Sequence, residues 1–371
     1  MNDIELYVFD ANLNRLGIID TYISCNIEMH YKKLGSLNLI VNGSNDNLSL
    51  LQKGNIITKS NDLQHGYVIE TVQYTETAGK ELNIIASSLN KLLNRRIVLG
   101  QQEFNGNVEN VMKSFVQVNA VNPSNTKRII PNLLIGANKG IAITTTEGTT
   151  NNYLGDYLYE IANKFDISFD VLIDISTKKF VFTTWQGVDR STLQTVNDHV
   201  IFSKEFDNVL TQNYTDSNSD YRTTAIVAGE GEGAERVYLT VNDTFTGLNR
   251  FELPVDARDL QSTYTDENNT EVTLTPAEYQ TLLSERGKNT LSEYENINTF
   301  ESEVDPIAQF IYNIDYKLGD KVSVINKDLG LTMHTRIVSC IETYKRNGNT
   351  LQIDFGDNIP SFIDKVKRAV K

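Results

Sequence analysis

The chain has 371 residues, a mass of 41.8 kDa and a formal net charge of −14, from 48 acidic and 34 basic side chains. This length is enough for two or three domains, and 40% hydrophobic residues suffice for packed cores rather than wholesale disorder. The acidic balance argues against a basic nucleic-acid binder, Cys25 and Cys340 alone make neither a disulfide scaffold nor a structural zinc site, and no apolar run approaches the ~20 residues that span a bilayer.

The first twenty residues carry early acidic side chains and no apolar run, so they do not read as a signal peptide. Short strands separated by turns follow: Ile4–Asp10, Asn26–Tyr31, Ser36–Val41, Gly54–Thr58, Gly66–Tyr74 and Lys80–Ile85. Their period-two alternation buries one face each, and about ten-residue spacing suggests a small barrel or sandwich. Ser87–Arg95 reads as a short closing helix, with Leu89, Leu92 and Leu93 as its apolar stripe.

From about residue 101 the period changes. Val108, Val111, Met112 and Phe115 define a helix face entered after Asn107. The Thr144–Thr150 run reads as loop. A second helix carries Leu154, Leu158, Ile161 and Phe165, with Asn151 or Asn152 as its cap. Ile167–Ile173 and Lys179–Thr184 form a hairpin.

Beyond Val200 the alternation returns. Ala225–Ala228 and Arg236–Val241 flank a Gly229-Glu230-Gly231-Glu232-Gly233 tract. Thr275-Pro276-Ala277-Glu278 is a capping box opening a helix, with Leu282, Leu283, Leu291 and Tyr294 for its buried face. Strands resume at Lys321–Ile325, Met333–Tyr344 and Thr350–Phe355. The expected class is α+β, predominantly β: two small β-barrel-like tube domains (1–100 and 200–358, the second with a helical insertion at about 275–297) flank a mixed α/β domain (101–199), and a short basic segment, 359–371, ends the chain. No sequence repeat links the two β-units, so a duplication rests on their layout alone.

No catalytic constellation emerges, and no catalytic, cofactor or metal residues are assigned. His30, His65, His199 and His334 are dispersed, without metal-site spacing, and read as strand or loop histidines. Cys25 and Cys340 lie in strand-like text, where a small buried side chain is the default. The glycine-rich tract precedes a strand rather than a helix, and Glu230, Glu232 and Glu235 would repel a phosphate, so it reads as a flexible hairpin tip. The acidic run Asp266–Glu271 lacks EF-hand spacing and reads as solvated loop.

Several segments occur in a telling order: Trp185-Gln186-Gly187-Val188-Asp189-Arg190-Ser191, Val200–Val209, the glycine tract with Arg236, Gly247–Glu252, Val255–Asp259, and Asp315–Val324 leading through Arg336-Ile337-Val338 to Phe355-Gly356. This order resembles the tail-hub (tail-associated or baseplate-hub) proteins of long-tailed phages and prophages. The resemblance implies a non-enzymatic virion protein assembled in the bacterial cytoplasm, a homotrimer at the tail tip whose two tube-like units per subunit face a six-fold tail ring. It also implies contact with the distal tail ring protein, the tape-measure protein and fibre or receptor-binding proteins, passage of DNA without specific binding, no cofactor and no membrane insertion. Relatives that degrade the cell wall carry a further C-terminal domain, which a chain ending at Lys371 is expected to lack. The alternatives are a peptidoglycan-degrading tail enzyme and a cell-wall glycan-binding module. Within the motifs, Tyr316, Gly319 and Asp320 read as a tight turn starting a strand, with glycine for a positive φ and aspartate for turn hydrogen bonding. Arg250, Glu252, Asp256 and Arg258 alternate in sign and pair either within the fold or across a subunit boundary. Gly229, Gly231 and Gly233 complete the set of motif residues.

Overall fold

The computed structural model describes residues 4–76, 79–265, 270–305, 308–346 and 348–357. The basic segment 359–371 and residues 266–269 of the acidic run lie outside them. Period-two text in the first region becomes β1 (Leu6–Phe9), β2 (Arg15–Ile19), β3 (Ser24–His30), β4 (Ser36–Asn42), β5 (Ile56–Lys59), β6 (Asp62–Glu76) and β7 (Lys80–Ser88), with α1 (Asn45–Leu50) between β4 and β5. The alternation works as expected: on β4, Leu37, Leu39 and Val41 are buried and Asn38 is exposed. The closing helix is a 3-10 turn over Leu89–Arg95 that buries Leu89, Leu92 and Leu93.

The middle region holds β8 (Gln101–Asn107), α2 (Val108–Val116), β9 (Leu133–Ile135), β10 (Thr144–Thr150), α3 (Leu154–Phe165), β11 (Ser168–Asp174) and β12 (Lys179–Trp185). Asn107 caps α2 by accepting from the Glu109 N–H at 3.0 Å. Two expectations fail here. Thr144–Thr150 is a strand, paired along its whole length with β8, because its β-branched side chains suit a pleated surface once a partner is present. Neither Asn151 nor Asn152 caps α3, which starts at Tyr153 without a side-chain cap; Asn151 instead takes a left-handed φ of 54° and Asn152 donates to the Thr149 hydroxyl at 3.2 Å. Phe115, Tyr157, Phe169 and Phe182 fill a core that continues into the first region through Phe9, Ile56 and Val68.

The third region contains β13 (Ile201–Ser203), β14 (Val209–Ser217), β15 (Thr224–Ala228), β16 (Tyr238–Val241), β17 (Glu252–Asp256), β18 (Thr263–Thr265), β19 (Glu271–Thr273), α4 (Pro276–Ser292), β20 (Ile297–Val304), β21 (Lys321–Asn326), β22 (Leu331–Lys345) and β23 (Thr350–Asp357). Between β14 and β20 the chain leaves the main sheet to build a small one, β16–β15–β17, over which α4 packs Tyr279, Leu282 and Leu283. The capping box is formed: the Thr275 hydroxyl accepts from the Glu278 N–H, and the Glu278 carboxylate accepts from the Thr275 N–H at 2.8 Å. Thr275→Ala is expected to cost about 1 kcal/mol in chemical denaturation, and Thr275→Ser to cost little.

First and third regions share one thirteen-stranded sheet. Its path runs β14–β20–β23–β22–β3–β4–β7–β6–β5–β1–β2, with β21 beside β22 and β13 beside β21. The path is open, and among the described residues no pairing closes either region into a barrel. β22, fifteen residues long, is what joins them: its first half pairs with β21, its second half with β3.

The connectivity repeats. β3, β4, β7, β6 and β5 neighbour one another in the same order as β14, β20, β23, β22 and β21, all antiparallel. β6 and β22 are both fifteen residues long, and each skips one residue against its C-terminal hairpin partner, between Ile69 and Thr71 and between Ile337 and Ser339. Just before that bulge, the Ile69 N–H donates to Asn55 O and Gly54 N–H to Ile69 O; likewise the Ile337 N–H donates to Asp320 O and Gly319 N–H to Ile337 O. Gly54 and Gly319 take φ of 90° and 87°, a region that glycine enters without strain. The duplication absent from the sequence is present in the hydrogen bonding.

Candidate functional site

Helix α3 ends on Asp166, whose left-handed φ of 52° turns the chain into β11 and projects its carboxylate out of the middle region. Arg336 of β22 meets it with a forked contact, Nε lying 2.9 and 3.0 Å from the two oxygens, and its other nitrogens also bond Asp166 and the Gly319 carbonyl. Lys32, just after β3, adds an ion pair at 3.0 Å. The Tyr31 hydroxyl and the Gln186 amide donate to the Asp166 carbonyl at 2.9 and 3.0 Å. Arg336 lies 4.8 Å from the Tyr31 ring centroid, and Tyr31 packs edge-on against Trp185. Asp166, Arg336 and Tyr31 thus come one from each region. Burial would raise the Asp166 carboxyl, but hydrogen bonds from Arg336 and the charges of Lys32 and Arg336 outweigh it and hold it below the usual carboxylate range.

Gly319 and Asp320 complete this node. A Cβ on Gly319 would sit 2.7 Å from both Tyr31 and Trp185, and one on Gly187 would sit 1.8 Å from the Gly319 carbonyl oxygen, so two glycines let the backbones touch. Asp320, 3% exposed, accepts from the Lys317 N–H of its own turn at 3.0 Å, from the Val188 N–H at 2.8 Å and from Arg190 at 3.1 Å. Tyr316 stands apart from the node: it is buried in the third region's core, edge-on to Phe202 at 5.1 Å.

A second contact lies along the β22–β3 seam. Lys59 of β5 and Glu342 of β22 form an ion pair at 2.7 Å, each side chain 3% exposed, and the Tyr344 hydroxyl donates to the same carboxylate at 2.8 Å. Tyr344 is packed in the first region's core although it belongs to β22. A third network joins the middle region to α4, where fully buried Glu147 receives Lys164 at 2.7 Å and Asn289 at 3.0 Å.

The remaining motif residues sit in the inserted sheet and its rim. Arg250 pairs with Asp243 at 2.6 Å and Glu252 at 2.7 Å. Asp256 receives Arg258 at 2.6 Å and Arg236 at 2.8 Å, and the Arg258 hydrogen bonds lower its carboxyl to about 2. Arg236 and Arg250 are half-buried, and Asp243, Glu252, Asp256 and Arg258 are exposed. Gly229, Gly231 and Gly233 span the β15–β16 connection, where Gly229 packs under Tyr279 and Leu283; the Glu230 N–H donates to the Tyr279 hydroxyl at 2.8 Å, which pins the tip down.

Each histidine has a local partner: His30 with Glu28, His65 with Asp62, His199 with the Gln194 carbonyl and His334 with Ser323. Both cysteines are buried, and burial pushes the Cys25 thiol up to about 12. Among the described residues no three His, Cys, Asp or Glu side chains cluster as metal ligands do. Sequence reading did not single out Asp166, Lys59 or Glu342, and it quoted Arg336 only as part of a segment. The arrangement around Asp166 can lock three regions into one geometry.

The sequence profile of the family described as Siphovirus ReqiPepy6 Gp37-like protein matches residues 5–357. No curated protein matches the chain in sequence. Solved structures with the same fold include prophage tail protein gp18 from Listeria monocytogenes EGD-e, at TM-score 0.54 and 12% identity over 99% of this chain and 98% of that one. The 43 kDa tail protein of prophage MuSo2 from Shewanella oneidensis gives 0.54 and 12% over 95% and 98%. The tail protein from Neisseria meningitidis MC58 gives 0.55 and 12% over 96% and 97%.

Proposed function

The chain belongs to the Siphovirus ReqiPepy6 Gp37-like protein family, a phage tail family, and from this membership we propose that it is the non-enzymatic hub of a tail tip: three copies form a ring that continues the tail tube. The observation that carries this reading is the repeated strand connectivity. One chain holds two edge-joined copies of a five-strand unit, so three chains offer six similar units to a six-fold tube, and a cyclic trimer is a closed assembly. The tube-wall units are residues 1–100 and 200–358, with 101–199 as a brace on the outside of the seam. Gly319, Asp320 and their partners hold the two units at a fixed angle; the Arg250–Arg258 series and the glycine tract shape the rim of the insertion. In the virion the ring meets the distal tail ring and tape-measure proteins, and the net charge of −14 suits a channel through which DNA slides without adhering.

Light scattering and electron microscopy of the purified chain test the proposal. The expected particle has three times the 41.8 kDa chain mass and averages to a ring with six similar lobes around an open channel. A stable particle of two or four chains, or one without a channel, overturns it.

A further inference from the structure

Among the described residues every strand edge inside the sheet is used, but two edges of the repeated unit stay open. The second half of β22 lies between β23 and β3. The matching half of β6, residues 71–76, pairs only with β7, since β5 and the Gly54–Asn55 turn reach no further than Ile69. Conversely β3 lies between β4 and β22, whereas its counterpart β14 pairs only with β20. One copy thus presents an open β6 edge and an open β14 edge, the same two elements that the chain joins internally as β22 and β3.

We propose that the open β6 edge of one subunit pairs antiparallel with the open β14 edge of the next, reproducing between chains the β22–β3 seam found within the chain. This rests on the ring reading above and adds the interface and its register. The repeat fixes that register. Within the chain Glu342 faces Ile27 and Ile341 faces Glu28. Through the shared bulge and the shared ladders, Glu342 corresponds to Tyr74, Ile341 to Gln73, Ile27 to Tyr214 and Glu28 to Thr215. Tyr74 of one subunit therefore faces Tyr214 of the next, and Gln73 faces Thr215. Both edges have the surface for it: Tyr74 is 50% exposed, Val72 and Tyr214 are half-buried, and this register sets Asp216 against Val72 and Glu76 against Gln212, so no like charges meet. Unpaired edges of this length are ready templates for strand addition, and two such edges at equivalent ends of a repeat extend it head to tail.

Cysteine trapping reads the register. The Tyr31 N–H bonds Val338 O, so hydrogen-bonded pairs alternate from there and Ile341–Glu28 is a close, non-hydrogen-bonded pair. Its counterpart Gln73–Thr215 therefore has a Cα separation that a disulfide tolerates. The doubly substituted chain Q73C/T215C, mildly oxidised, is expected to run as covalent oligomers on non-reducing gels, as is T75C/N213C, the next close pair. The shifted pair Q73C/Q212C is expected to remain monomeric; Cys25 and Cys340 are buried and serve as the unsubstituted control. A covalently closed trimer supports both the pairing and the ring. Covalent closed rings of another size support the pairing and overturn the trimer. Trimers by light scattering without cross-linking of either in-register pair, or cross-linking of the shifted pair alone, overturn the pairing and leave the trimer standing. Absence of any covalent oligomer from a chain that remains monomeric overturns the pairing as well.

Discussion

Lys59→Ala is expected to destabilise the fold by about 3–5 kcal/mol, because it leaves the buried Glu342 carboxylate without its cation. The two charges lie 2.7 Å apart at 3% exposure each, on strands that sequence separates by 283 positions, so the loss falls on the seam between the two halves of the sheet. With Lys59 gone, the carboxylate keeps, among the described residues, the Tyr344 hydroxyl, and a single neutral donor does not replace the solvation that a buried ion has given up. The paired change K59M/E342Q restores most of the loss: methionine fills the lysine's volume, and glutamine still accepts from Tyr344. Guanidinium unfolding at neutral pH, followed by far-UV circular dichroism, gives both numbers. If the single variant unfolds within about 1 kcal/mol of the parent, the pair is not the buried contact described and the seam is held by strand pairing alone.

What the sequence made legible was local. Strands β4 and β7 were readable because their period-two text matches an alternating burial pattern, and α4 because its capping box lies within four consecutive positions. β10 was misread because its threonines and Gly148 look like loop material, and the burial of Glu147 depends on Lys164 and Asn289, which lie 17 and 142 positions away. The adjacency of β14 and β20 was hidden by the inserted sheet and α4 that separate them. Where the site is concerned, the Gly319-Asp320 turn announced itself; its equivalence to Gly54-Asn55 shows only in the hydrogen bonds that each turn makes to the bulged strand. Asp166 gave no comparable signal. It is one acid among 48, and its role comes from a partner 170 positions on. Pairings of that range carry no local periodicity, so they become visible only once the strands are placed.

Arg336→Ala is expected to cost about 3 kcal/mol at neutral pH, since it removes the forked bond to Asp166, uncovers the Gly319 carbonyl and takes away the cation beside Tyr31. The figure sits at the lower end for a buried pair because Asp166 is 35% exposed and keeps Lys32. Arg336→Lys recovers only part of it, as an ammonium cannot span both carboxylate oxygens and the carbonyl at once. The loss also depends on pH in a defined direction. Asp166 has a folded pKa below its unfolded value of about 3.9. Its contribution is therefore complete above that value and disappears as pH falls through the folded pKa. The parent thus loses more stability than the R336A variant on acidification, and the gap between them narrows as pH falls below the unfolded value and through the lowered folded one. Equal gaps at both ends of that range would mean that Arg336 acts through packing on Tyr31 and the Gly319 carbonyl. A narrowing gap means that the contact between the middle region and β22 is held by a charge.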